Sequence, residues 1–245
     1  MSRKRLFIPE IKEQNYEIIH PEQIHYLKNV LRVKKGEEII VLDGKGWEYK
    51  TEVKELSSSK IKVALKKEIF HPPLDYRITL YQSLLKNPKM DFLIQKISEL
   101  NVDKFVPVIT ERSIKYDLNE KKIKNKVAHW EKIARFSASQ SRRARLMKIE
   151  SPVLIRKKMN ECGNIDKTIV FLEEEQKNLK EVLVNLRDTK NISLFIGPEG
   201  GFSKEEIKLL KNQGIISASL GNQVLRSETA AIVVASIIQY EWGIL

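Results

Sequence analysis

FIGPEGGFS, residues 195–203, and LGNQVLRSETAA, residues 220–231, are two glycine-punctuated strings near the end of a 245-residue chain. Each follows an apolar, strand-like run, Ile192 to Ile196 and Ile215 to Leu220, and each leads into a helix-like segment. Two strand-loop-helix junctions about 25 residues apart predict neighbouring parallel strands, whose C-terminal ends carry both loops to one crevice, the place where open α/β sheets bind ligands.

In the first string, Gly197, Gly200 and Gly201 permit positive φ and close approach of a ligand to the backbone, and Pro198 stiffens the turn. Ser203 fits a helix N-cap, and Glu206 three residues later completes a capping-box pattern. The string lacks the Gly-Lys-Ser/Thr ending of a Walker loop and the spacing of a dinucleotide fingerprint. Taken alone it reads equally as a tight turn or a ligand loop. In the second string Gly221 ends a strand and Ser227 is placed to cap a helix, to which Thr229, Ala230 and Ala231 give a small-residue face. Val224 and Leu225 are apolar residues in a solvent-facing loop. Backbone donors together with aliphatic side chains suit a flat heteroaromatic ring such as adenine. The competing interpretation makes both residues ordinary core.

Working back from these loops, residues 72–245 alternate strand and helix. Strand candidates are Tyr76 to Gln82, Lys104 to Ile109, Thr168 to Leu172 and Ile192 to Ile196. Lys89 to Leu100 reads as a helix with Met90, Leu93, Ile94, Ile97 and Leu100 on one stripe. A basic helix is expected from Lys121 to Ser141 and a short one over Leu179 to Leu186. This alternation predicts an α/β domain with a mostly parallel sheet covered on both faces. Residues 1–71 read differently. A helix over Pro21 to Leu31 places Ile24, Leu27, Val30 and Leu31 together, and short strands follow at Glu38 to Leu42, Trp47 to Val53 and Lys60 to Leu65, predicting a small β-barrel. His71-Pro72-Pro73 interrupts regular structure and marks the boundary.

The net charge of +12 and a pI near 9.5 point to a polyanionic partner, because clustered Lys and Arg release counterions from phosphate backbones. A lysine-rich solvated surface is the bland alternative. No apolar run is long enough to cross a bilayer, and the start of the chain lacks the apolar centre of a signal peptide, so no membrane role and a cytoplasmic location are expected. Cys162 is the single cysteine, and neither it nor the four histidines are spaced as metal ligands, so no metal is expected.

Further strings carry a family likeness: HYLKNVLRVKKGEEIIVLDGKG at 25–46, KNPKMDFLIQKISELNVDKFVPVITERS at 86–113 and SASQSRR at 137–143, with both C-terminal loops. Together they closely resemble the bacterial 16S ribosomal RNA (uracil-N3) methyltransferases of the SPOUT superfamily. The resemblance implies a PUA-like N-terminal barrel that helps hold RNA, a C-terminal domain tied in a trefoil knot, and a homodimer. It also implies S-adenosyl-L-methionine as cofactor, bound by Leu172, Ile196, Gly197, Pro198, Glu199, Gly200, Gly201, Leu220, Gly221, Gln223, Val224, Leu225 and Thr229. Two positions depart from the family pattern. Gln223 stands where arginine is common, and Ser139 where an acidic residue usually precedes Gln140-Ser141.

Methylation of a uridine N3 requires alignment of the acceptor and removal or offset of its imide proton. Arg142 and Arg226 are the candidates to stabilise the developing anion, with Glu199 and Glu228 as proton acceptors or as the groups that orient those arginines. The structural alternatives are an Arg226–Glu228 ion pair and a Glu199 that only complements a helix terminus. For 16S ribosomal RNA or the small ribosomal subunit, Arg142, Arg143 and Arg145 with Lys148 form one basic strip, Arg3, Arg5, Lys28 and Arg32 a second, and His25 and Arg112 are further candidates. The rival functions are methylation of a ribose 2′-hydroxyl and RNA binding without catalysis.

Overall fold

The structure, a computed structural model, describes residues 4–8, 15–115, 119–162, 167–173, 175, 177–184, 186 and 189–245. It divides into two compact units, Met1–Pro73 with Ala138–Leu146, and Leu74–Ser137 with Met147–Leu245.

The first unit is a curled five-stranded sheet built from β1 (Lys4–Phe7), β2 (Asn15–Ile18), β3 (Glu38–Leu42), β4 (Trp47–Leu56) and β5 (Ile61–Phe70), in the order β1-β3-β4-β5-β2. The β1–β3 ladder is parallel and the others antiparallel. The lightly marked strands β1 and β2 extend the three expected from the sequence. Leu6, Ile18, Ile39, Val41, Val53, Ile61 and Val63 alternate inward and fill one core. The expected helix is two pieces: α1 (Pro21–His25) runs straight into a π-helical turn, Tyr26–Val30. Ile24 and Leu27 are buried, but Val30 is 57% exposed. The wider π turn advances less per residue than an α-helix, so Val30 rotates off the stripe that an α-helical spacing assigns it. Ala138–Leu146 joins this unit through Ala138 and Ala144, which pack with Phe7, Ile40 and Leu42.

The second unit is a parallel sheet. Its strands are β6 (Arg77–Ser83), β7 (Lys104–Ile109), β8 (Lys148–Ile149), β9 (Val153–Leu154), β10 (Lys167–Phe171), β11 (Asn191–Ile196) and β12 (Ile216–Ala218). They run in the order β12-β10-β11-β6-β7-β8, with β9 also paired to β7. The helices are α2 (Asn87–Glu99), α3 (Glu120–Gln140), α4 (Ile155–Cys162), α5 (Leu179–Val184), α6 (Lys204–Asn212) and α7 (Ser227–Glu241). Near-continuous apolar strands such as Asn191–Ile196 are what a sheet covered on both faces requires. One face buries Ile78, Leu80, Leu194 and Ile196 with Met90, Leu93, Ile94 and Ile97 of α2 and Ala231, Val234 and Ile238 of α7. The other buries Tyr81, Val106, Val170 and Phe195 with Phe202 and Leu210. Tyr81 and Phe195 are register partners on β6 and β11, and their rings stack with centroids 4.4 Å apart. No helix among the described residues is long and apolar enough to cross a membrane.

Candidate functional site

Three chain segments leave the C-terminal edge of the sheet side by side, at Leu172 after β10, Gly197 after β11 and Ser219 after β12. The sequence predicts β11 and β12 as neighbours; instead β10 lies between them, parallel to both. Spacing along the chain reports that two strands point the same way, but not which third strand is inserted between them. The insertion puts Leu172 in the middle of the edge. Its N–H donates to Ala218 O at 3.0 Å, Ser219 N–H donates to Lys177 O at 2.8 Å, and Leu179 N–H donates to Ser219 O at 3.0 Å. The β10 and β12 exits are thereby laced together by backbone bonds.

The loop after β11 folds over Pro198–Gly201, with Gly201 N–H donating to Pro198 O at 2.9 Å and Gly201 at φ +66°. Gly197 is tight for a different reason: an added Cβ would stand 3.2 Å from the ring of buried Phe202. The capping box forms, Ser203 Oγ accepting from Glu206 N–H while Glu206 Oε2 accepts from Ser203 N–H. Glu206 Oε1 also accepts from Glu111 N–H at 2.8 Å, tying the loop after β7 to α6. Two cations brace the outer part of the loop. Lys89 Nζ, in the first turn of α2, lies 2.7 Å from Glu199 Oε1, and Arg112 Nη1 donates to Gly200 O at 2.9 Å. The hydrogen bond from Lys89 holds the Glu199 carboxyl below the ordinary glutamate value. A carboxylate stabilised in its charged form is a weaker proton acceptor.

The loop after β12 turns at Gly221, φ +108°, with Ser219 Oγ accepting from Gly221 N–H. Asn222, Gln223 and Val224 are exposed, Val224 at 73%. Leu220 and Leu225 pack on the main core instead. The two apolar loop residues therefore separate: Leu225 serves the core, and Val224 is held in solvent. Ser227 does not cap α7 with its side chain. Arg226 occupies the N-cap position, and Ser227 is the first residue of the helix. The Ser227 hydroxyl donates to Gly197 O and accepts from Gln82 Nε2 at 2.8 Å, joining the β11 loop, the end of β6 and the start of α7. Gln82 is a site residue that local patterning passes over, although a glutamine in the apolar run RITLYQS is the signal that marks it. Ala230 and Ala231 are buried, as a close-packed face requires, whereas Thr229 is exposed. Arg226 is exposed, and among the described residues no ion pair joins it to Glu228. Glu228 is only 7% exposed in the first turn of α7, where the helix dipole favours a carboxylate. Its Oε2 accepts no hydrogen bond, and neither does Oε1 of the fully buried Gln82.

These features fit the methyl donor that the resemblance implies. Val224 presents an exposed aliphatic side chain, and two buried oxygens, Gln82 Oε1 and Glu228 Oε2, lack the donors that buried acceptors normally find. Among the described residues no group of three His, Cys, Asp or Glu side chains is placed to hold a metal ion.

Most candidate RNA contacts belong to the first unit. Arg5 Nη1 is committed to the buried Glu48 at 3.3 Å, Lys28 Nζ donates to Ser57 O at 3.2 Å, and His25 is exposed with Nδ1 2.8 Å from Asn29 Nδ2. Arg32 and Arg142 are exposed and carry positive φ, 49° and 64°. Arg143 is partly buried, and Arg145 donates twice to His71 O. Ser139 Oγ donates to Arg5 O at 3.2 Å, a backbone contact made by the residue that departs from the family pattern. Lys148 is largely exposed on β8 of the second unit. Arg3 lies outside the described residues. The two arginines of the expected catalytic pair, Arg142 and Arg226, thus belong to different units.

Comparison with known proteins agrees along the whole chain. The model of an RNA methyltransferase domain matches residues 72–239, and that of an RNA methyltransferase PUA domain matches residues 19–66. Ribosomal RNA small subunit methyltransferase E of Aquifex aeolicus is 32% identical over 95% of this chain and 98% of its own length. The Bacillus subtilis protein of the same name is 29% identical over 99% and 98%. Among solved structures, a Neisseria gonorrhoeae ribosomal RNA small subunit methyltransferase E bound to S-adenosyl methionine superposes with a TM-score of 0.86 at 25% identity, covering 98% of each chain. A Legionella pneumophila methyltransferase in complex with the same cofactor gives 0.90 at 27% identity, again covering 98% of each chain.

Proposed function

The chain belongs to the RNA methyltransferase family, and from that premise we propose that it transfers a methyl group from S-adenosylmethionine to N3 of a uridine in 16S ribosomal RNA. The observation that carries this proposal is the convergence of the β10, β11 and β12 exits, with β10 and β12 laced by backbone bonds and the β11 loop tied to the start of α7 by Ser227, in a chain that aligns end to end with small-subunit RNA methyltransferases.

The bound cofactor supplies an activated methyl group on a sulfonium. Leu172, Gly197–Gly201, Leu220, Gly221 and Val224 would hold it by backbone groups and aliphatic contact, with Ile196, Gln223, Leu225 and Thr229 around them. Arg226 offsets the negative charge that grows on the uridine imide. Of the two carboxylates, Glu228 is the proposed proton acceptor, because its Oε2 has no protein donor while Glu199 is engaged and acidified by Lys89. Glu199 then acts by keeping the glycine loop in shape. Residues 1–71, with Ala138–Leu146 packed into the same unit, form the RNA-holding domain and the rest of residues 72–245 the methyltransferase domain, with Arg142, Arg143 and Arg32 as phosphate contacts. We further propose a homodimer, to which the exposed Tyr240 and Leu245 at the end of the chain offer apolar surface, and work in the cytoplasm, where ribosomal subunits are found.

Incubation with labelled S-adenosylmethionine and small ribosomal subunits, followed by mass identification of the modified nucleoside, tests the reading. 3-Methyluridine is expected. A 2′-O-methylated nucleoside would transfer the assignment to ribose chemistry, and an unlabelled RNA that nevertheless binds would leave a non-catalytic binder.

A further inference from the structure

Trp47 and Phe70 face each other across the β4–β5 hairpin as register partners, with ring centroids 4.9 Å apart and planes inclined by 49°. Trp47 is 38% exposed and Phe70 49%, a large fraction for rings that ordinarily bury most of their area. A cation is seated over Phe70. The Arg145 guanidinium lies 5.4 Å from the Phe70 centroid, and its Nε and Nη2 both donate to His71 O, at 3.2 and 3.0 Å. Gly46 makes that seat: at φ +118°, a Cβ there would fall 2.6 Å from both Arg145 Nη2 and His71 O. The turn that presents Trp47 is fixed by Asp43 Oδ1, which accepts from Lys45 N–H at 2.7 Å and Trp47 N–H at 2.9 Å. The next carboxylate, Glu48, is buried and matched by Arg5 at 3.3 Å and His71 at 3.4 Å, while Lys45 and Arg142 are exposed.

We propose that Trp47 and Phe70 form a stacking platform for unpaired bases of RNA, with Arg145 as its cationic margin. This rests on the reading that RNA is the substrate and adds a subsite to it. A cross-strand aromatic pair helps any hairpin, but that role does not call for a guanidinium locked beside the rings by a glycine. Half-exposed rings next to a fixed positive charge are complementary to a nucleotide, whose base stacks and whose phosphate is anionic. A stable protein partner would need roughly 800 Å² of complementary surface on this side, far more than two rings provide.

The test uses the full-length protein and fluorescently labelled single-stranded RNA, with duplex RNA and calorimetric S-adenosylmethionine binding as parallel measurements. Trp47→Ala and Phe70→Ala should each weaken single-stranded binding about 10-fold. Trp47→Phe and Phe70→Tyr, which keep a ring, should recover most of the loss. The slope of affinity against salt should stay the same in all variants, because stacking releases no counterions. Cofactor affinity should also stay at the wild-type value. Wild-type RNA affinity in the two alanine variants would overturn the platform alone, whereas a wild-type protein that binds no RNA would overturn the platform and the assigned substrate together. A change of oligomeric state in Trp47→Ala with RNA affinity intact would show that the rings face a second copy of the chain, and would also overturn the proposal.

Discussion

Replacing Ser227 by alanine removes one oxygen that serves two partners. The hydroxyl donates to Gly197 O and accepts from Gln82 Nε2, and the residue is 7% exposed, so water restores these bonds poorly. Gln82 Nε2 keeps its second acceptor, Ser83 O at 3.1 Å. Two lost bonds at about 1 kcal/mol each put the destabilisation near 2 kcal/mol, a fall in Tm of about 4–8 °C for a chain of this size. The larger consequence is local. Gly197 loses the tether that aligns its carbonyl with the start of α7, and cofactor binding must then order a looser loop. About tenfold weaker S-adenosylmethionine binding is expected, equivalent to about 1.4 kcal/mol. Thermal melting and isothermal titration calorimetry measure the two quantities. Because Gln82→Leu strikes the same network, the double variant should be non-additive by at least about 0.5 kcal/mol. A Ser227→Ala protein with wild-type Tm and wild-type cofactor affinity would refute the claim that this hydroxyl holds the two loops together.

Gly197→Ala places a methyl 3.2 Å from the buried Phe202 ring, and a core with little room to give should lose about 1–3 kcal/mol in urea denaturation, with weaker cofactor binding. Lys89→Ala frees Glu199; since the pair is partly exposed, stability should change by less than about 1 kcal/mol while methylation slows. Lys89 lowers the Glu199 pKa, so the pair's contribution is present above the ordinary glutamate value and is lost as pH falls through the depressed one. Titration of Glu199 by NMR should accordingly move up toward the ordinary value in Lys89→Ala. Arg142→Ala should weaken RNA binding and lower the slope of log affinity against log salt by about one, with S-adenosylmethionine affinity intact, and an unchanged slope would remove Arg142 from the phosphate contacts.

The parts of this site that could be read directly from the chain are those set by neighbours in sequence. Ser203 and Glu206 stand three residues apart, and a capping box needs nothing more, so it forms as expected. The stripe Met90, Leu93, Ile94, Ile97 follows a 3.6-residue period and is buried. Ser227 shows where such reasoning stops. A serine before a helix competes for the N-cap, but its hydroxyl is taken by Gln82, 145 residues earlier in the chain, and by Gly197. The β10 strand between β11 and β12, and the π turn that carries Val30 outward, are likewise decided by packing. Local propensity is weak, and tertiary partners outweigh it wherever they offer a buried polar group a better bond. The departures at Ser227 and β10 fall where the second unit ties its loops together, because a site assembled from three strand ends must draw its hydrogen bonds from across the sheet. By the same logic Gln82 and Ser227 should tolerate substitution less well than Asn222 or Gln223, whose side chains stand in solvent on the same pair of loops.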